Sequence, residues 1–374
     1  GAPPTEDEVR VDAQLATSLR MLGLLPPGQT SSDEAAIAAY ASSVLAFYSR
    51  ADASVTIVTT NLGDTDLETE VFVLSHEFVH AQQDVDIGLQ DFFDEHATTS
   101  DGGTATRSVT EGEAVHYSNL TLARRSGLSL TPQLFDEYYA AQQQVLRDAA
   151  AGSPDSDVGY TDLSSLFPYS FGGQLVTERW FSGGDPGVLE LYEAPPPSSG
   201  AVLRTIDDQQ PLALDPVTVS VGTLPEGYSL VAQDTLGAWI LYAYALRSGI
   251  DEPTASALAK DWQGDEIVVA GGATETDVAQ AWALRFGDPS SAQALAAITT
   301  VAAAEGVRSV RVSGRDATIV MTQTEDQLAQ WDAVFPAAAV EPGQELVTSS
   351  ATRAPRRRLL PAPIDDPRGP RRAR

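Results

Sequence analysis

Residues 71–84 read VFVLSHEFVHAQQD, and this stretch limits what the chain can fold into more than any bulk property does. Positions four apart on a helix stand one turn above each other on the same face. His76 and His80 therefore point both imidazoles at one place, with Glu77 displaced around the helix toward the open side. Phe72, Leu74, Phe78 and Val79 fill the flanks, so the helix is apolar nearly all round and is expected inside the molecule. Two imidazoles and a carboxylate buried there need a partner, and a cation would satisfy all three.

A second acidic motif, Thr110-Glu111-Gly112-Glu113-Ala114, falls in a helix expected over 104–125. A zinc ion in a catalytic site takes three protein ligands and leaves its fourth position to water, and two histidines with one glutamate is a standard set. His76, His80 and Glu111 are accordingly the expected ligands of Zn2+. Gly112 is expected to let this helix approach the histidine helix closely enough for the short Glu111 side chain to reach the ion. Glu113 lies about 200° further round the helix and is expected behind the ligands, orienting His76. Asp84, one turn beyond His80, is expected to orient that ring in the same way. Cysteine is absent, so thiolate ligands and disulfides are excluded. His96 has no assigned role.

At 374 residues the chain is long enough for two domains. Helices are expected over 8–25, 31–48, 132–150, 161–181 and 185–193, with a β-branched strand at 54–60 ahead of the histidine helix. The stretch APPPSSG at 194–200, followed by 210–216, is the best candidate boundary. Beyond it, helices at 232–248, 252–262, 289–304 and 324–333 alternate with strands at 266–270, 278–286, 309–313 and 317–322, the last two forming a hairpin. The expected architecture is α+β. A mostly helical zincin-like domain spans 1–205, a smaller α+β region spans 206–350, and a disordered basic tail rich in Pro and Arg spans 351–374.

Formal net charge is −29 although eight arginines crowd into the tail, so the body is strongly acidic and is expected to repel nucleic acid. No apolar run approaches the roughly 18 residues of a membrane span. The chain starts at Gly1 without an apolar leader, which fits an exported protein whose targeting segment has been removed, and a secreted or cell-surface location is expected. Oligomeric state is left open.

HEFVHAQQD followed by TEGEA resembles the gluzincins, in which a helix carrying the HExxH motif is followed by a second helix carrying a glutamate. A closer resemblance is to largely uncharacterised exported bacterial and archaeal proteins that read approximately HELxHALQDQ, LxEGDA and PYxxGxxF. Phe167-Pro168-Tyr169-Ser170-Phe171-Gly172 matches the third element, and Asp261-Trp262-Gln263-Gly264-Asp265 resembles a later GWGGD element. Gln82, Val85 and Gln263 depart from the pattern without removing a ligand. The resemblance implies a zinc metallopeptidase acting on a peptide or protein substrate, with Glu77 as general base. It also implies a Tyr or His outside the histidine helix that steadies the oxyanion: Tyr169 first, with His116 and Tyr117 as alternatives. The competing reading is a catalytically silent exported surface protein that keeps zinc as a structural clip.

Overall fold

The computed structural model describes residues 4–31, 37, 44–63, 65–152, 160–207, 209–210, 213–298 and 305–336. The protein is α+β, and the chain groups into two compact units. A helical unit is built from Glu34–Ala150 and Tyr160–Pro211, and a sheet unit from Gly1–Asp33 and Leu212–Pro361. The division expected at 1–205 and 206–350 therefore misplaces the N-terminal helix α1 (Glu6–Met21), which belongs to the sheet unit. The reason is a set of bonds between residues more than 250 positions apart. Gln14 Nε2 donates to the carbonyls of Gly272 and Thr274 at 3.0 and 2.9 Å, and Ser18 O accepts from Gln280 Nε2 at 3.3 Å. The expected helix over 31–48 lies mostly outside the described residues, and its last stretch is strand. The expected disordered tail lies outside them entirely.

In the helical unit, β1 (Ala46–Ser49) and β2 (Ser54–Ile57) form an antiparallel hairpin, followed by a short helix α2 (Thr59–Leu62). The histidine helix α3 (Leu67–Ile87) starts at Asp66, whose side chain accepts from Thr69 N at 2.8 Å, and stops at left-handed Gly88. Next come α4 (Leu89–His96) and α5 (Ser100–Arg125), the latter capped by Thr99 and buried on most of its surface. Helix α5 is the axis of the unit. Helix α3 packs along it, as do the later helices α8 (Gly173–Glu193) and α9 (Ser199–Ile206), with α6 (Pro132–Ala150) and α7 (Tyr160–Phe167) completing the bundle. Helix α9 is held by Asp101, whose Oδ1 accepts from Ser199 N at 3.0 Å. The chain thus leaves this unit after α9, past the APPPSSG stretch.

Helix α3 does not follow the expectation from its composition. Only His76, Glu77 and Gln83 are buried, while Phe78 is 62% and Val85 80% exposed. The polar edge of this apolar helix faces inward, because that edge carries the groups α5 has to meet.

The sheet unit has one antiparallel sheet in the order β3-β4-β5-β7-β6, where β3 is Ser229–Asp234, β4 Trp262–Gly271, β5 Val278–Phe286, β6 Val307–Ser313 and β7 Asp316–Thr322. Helices α10 (Ala238–Arg247), α11 (Glu252–Asp261), α12 (Pro289–Ala296) and α13 (Glu325–Val334) complete it. Trp331, Val334 and Phe335 of the α13 segment cover one face through Val268, Ala281 and Val320. Helix α1 and Tyr244 of α10, set edge-on against Trp282, cover the other. Both faces are covered, so β5 is buried at every position, and its two polar residues, Gln280 and Arg285, are hydrogen-bonded to Ser18 and Asp316. Residues 232–234, expected as helix, are strand because they pair with β4.

The Asp261–Asp265 segment acts inside this unit. The Asp265 carboxylate accepts from Leu236 N, Gly237 N, Trp262 Nε1 and Trp282 Nε1 at 2.8–3.0 Å, tying the start of α10 to β4 and β5. Burial pushes this carboxyl up to about 6, against the four donors that favour its ionised form. Asp265→Ala leaves four buried N–H groups unsatisfied. It is expected to lower the unfolding free energy of the protein by more than about 3 kcal/mol in urea titration.

Candidate metal centre

Helices α3 and α5 bring three side chains to one point. Nε2 of His76 lies 3.1 Å from Oε2 of Glu111 and 3.1 Å from Nε2 of His80, and His80 Nε2 lies 3.4 Å from the same Glu111 oxygen. Among the described residues this is the one group of three or more His, Asp or Glu side chains close enough to hold a metal ion. The spacing tests the fit. Ligand atoms about 2.05 Å from a tetrahedral zinc ion stand about 3.3 Å apart, the separation seen here. Three donors of the types zinc prefers leave a fourth position for water.

The electrostatics favour a cation at this point. Burial alone would raise the Glu111 carboxyl, which is 4% exposed. The charge of His80, hydrogen bonds from His76 and His80, and the charge of Arg107 outweigh burial and hold it well below the usual carboxylate range. Arg107 stands 3.6 Å from Oε1, so each carboxylate oxygen meets its own positive neighbour. Burial works against a proton on His80, but the charge and hydrogen bond of Glu111 and the charge of Glu77 lift it to about 9. In the metal-free protein near neutral pH an imidazolium therefore faces Glu111. A divalent ion bound there has to displace its proton, so metal binding should strengthen with rising pH.

Glu77 is buried at 7% exposure, next to His76 in sequence, with its charge felt at His80. Asp84 does not orient His80. It accepts from Tyr48 OH at 3.1 Å and Leu89 N at 3.2 Å, closing the end of α3. Gln83 takes the place expected for Asp84, its Oε1 standing 2.9 Å from His80 Nδ1. Glu113 does not reach His76 either. Its Oε2 accepts from Gln83 Nε2 at 2.7 Å and from Tyr192 OH. His76 Nδ1 is buried and makes no hydrogen bond among the described residues. Gln83, Tyr192 and Arg107 went unnoticed in the sequence. Gln83 and Arg107 carried a signal, each lying one helical turn from a candidate ligand, but Tyr192 carried none.

Tyr169 stacks on His76 with ring centroids 5.6 Å apart and planes 9° from parallel. It sits in Pro168–Gly172, a single π-helical turn between α7 and α8. Such turns often occur at functional sites. A Cβ on Gly172 would strike the backbone of Ser108, and one on Gly112 would strike the carbonyl of Gly172. Gly112 thus serves close approach between α5 and the π turn, where approach to α3 was expected. The two glycines set Tyr169 over His76.

The alternatives to Tyr169 point elsewhere. His116 Nδ1 lies 2.8 Å from Thr177 Oγ1, with its ring among Tyr117, Phe135 and Trp180. Tyr117 OH donates to Asp185 Oδ1 at 2.7 Å. Neither side chain joins the cluster of His76, His80 and Glu111.

Gly172→Ala forces backbone against backbone and is expected to cost about 2–3 kcal/mol of unfolding free energy, read by urea titration. Burial lowers the His116 imidazole to about 4, so it is neutral when folded and gains a proton more easily when unfolded. Its contribution is complete above about 6.5 and is lost as pH falls through about 4, by up to about 3 kcal/mol. His116→Phe should flatten the unfolding free energy between those pH values, as measured by urea titration at a series of pH values.

Comparison with protein-family models, with curated proteins and with solved structures gave no match.

Proposed function

We propose that this protein is a zinc-dependent metallopeptidase of gluzincin type that hydrolyses peptide bonds in an exported setting. The observation that carries this reading is the convergence of His76 Nε2, His80 Nε2 and Glu111 Oε2 within 3.1–3.4 Å of one another, with Glu77 one residue from a ligand. Bound zinc would polarise the substrate carbonyl and lower the pKa of a water toward about 7. Glu77 then accepts the proton of the attacking water and passes it to the departing amine nitrogen. Glu111, with Oε1 against Arg107, would hold the ion through Oε2. Tyr169 is the candidate donor to the developing oxyanion, because of the three residues considered it alone makes ring contact with a ligand imidazole. A buried acid beside the ligands supports hydrolysis over a purely structural zinc, which has no use for a base. Among the described residues no helix is long and apolar enough to cross a membrane.

The test is zinc content together with cleavage of a mixed peptide library. The unmutated chain should bind one zinc and cleave. Glu77→Gln should keep the zinc and lose about 10²–10⁴-fold in rate. Glu111→Ala should lose the metal. One zinc per chain with no peptide cleaved, or cleavage that survives Glu77→Gln, would reject the proposal, and the first result would favour the silent surface protein.

A further inference from the structure

Helix α3 places an amide, Gln83, behind the second histidine ligand, and its surroundings decide which way round that amide lies. Its nitrogen faces the Thr110 carbonyl at 2.9 Å and the Glu113 carboxylate at 2.7 Å. A backbone carbonyl only accepts, so the NH2 group must be on that side and Oε1 must face His80. Nδ1 of His80, 2.9 Å from Oε1, is then the ring nitrogen that carries the hydrogen. Once a metal ion displaces the other ring proton, the lone pair lies on Nε2, the atom that faces Glu111 and His76. Tyr192 OH, 2.9 Å from Gln83 Nε2, closes the network by donating to Glu113. Gln83 itself is 4% exposed, so its polar atoms have no recourse to solvent. An amide fits this position better than a carboxylate, since it accepts from the ring and donates to α5 at once. Asp84, the acid one turn beyond His80, is engaged by Tyr48 and Leu89.

We infer that Gln83 is the positioning residue of the metal centre: held by Thr110, Glu113 and Tyr192, it fixes the ring and the tautomer in which His80 presents Nε2 to the ion. The inference rests on the metal-site part of the proposed function and is independent of whether peptides are cleaved. It makes the connection between α3 and α5 two-sided. Glu111 links the helices in front of the histidines and Gln83 links them behind.

The test measures zinc affinity of the full chain by competition with a chelating dye, with the electronic spectrum of the cobalt(II) form as a second readout of ligand geometry. Gln83→Leu removes the acceptor behind His80. It should weaken zinc binding about 10–100-fold and shift the cobalt bands. The double variant Gln83→Glu with Glu113→Gln exchanges acid and amide, so that an acceptor again faces His80 and a donor faces back toward it, with only the Thr110 carbonyl losing its donor. It should bind zinc more tightly than Gln83→Leu and move the cobalt bands back toward those of the unmutated chain, which a purely structural role for Gln83 would not bring about. The inference falls if Gln83→Leu, folded as judged by circular dichroism, binds zinc as tightly as the unmutated chain. It also falls if the double variant recovers neither affinity nor spectrum. If Gln83→Leu does not fold, the double variant alone decides. A chain that binds zinc in this Gln83-dependent way but cleaves nothing leaves the inference standing and removes the peptidase reading. Failure of the unmutated chain to bind any divalent ion removes both.

Discussion

A carboxylate that is almost wholly buried and still ionised must be matched by positive charge or by donors, and Glu111 imposes that condition on the helical unit. One oxygen is answered by imidazoles from α3 and the other by Arg107, a turn earlier on its own helix. To supply the imidazoles, α3 turns its polar edge inward and leaves Phe78 and Val85 exposed. Burial of apolar surface would favour the opposite orientation, by about 1.5–3 kcal/mol for each large side chain. The orientation of α3 is thus governed by the charge on α5.

The sheet unit solves the same problem differently. Asp265 is also buried, yet its four partners are backbone and indole N–H groups and none carries a charge. Those donors have nothing to release, so the result is a fixed joint between strand and helix. Around Glu111 the partners are imidazoles, which can give up a proton and accept a metal at the same atom. The difference between a joint and a candidate reaction centre lies in the partners, since the acid is of the same kind in both.

The cluster of three candidate ligands is legible in the sequence because its geometry is local. His76 and His80 need only the helical repeat, and an acidic helix close by with Glu111 supplied the third donor. Features decided by packing could not be read that way. Gln83 and Asp84 both lie a turn beyond His80, and only the position of Thr110 and Glu113 shows which one faces the ring. Gly112 announced a close approach, but its partner is Gly172, about sixty residues on, where α3 had been expected. Helix α1 is legible as a helix in the sequence, but the unit it joins is not, because the groups it bonds to lie more than 250 positions further along the chain. Ala232–Asp234 followed β4 into a strand against its helical pattern.

The π turn at Pro168–Gly172 has a bearing on how the site could be gained or lost. A π turn closes its hydrogen bonds over one more residue than an α turn does. Removing one of its residues other than Tyr169 would let the rod from Tyr160 onward close as a plain α-helix, the tighter turn taking up the lost residue, and the widened backbone that carries Tyr169 would be gone. Tyr169 would leave the face of His76 while every ligand stayed in place. A one-codon change in length, with no ligand altered, would therefore separate binding of the ion from the aromatic side chain set over it.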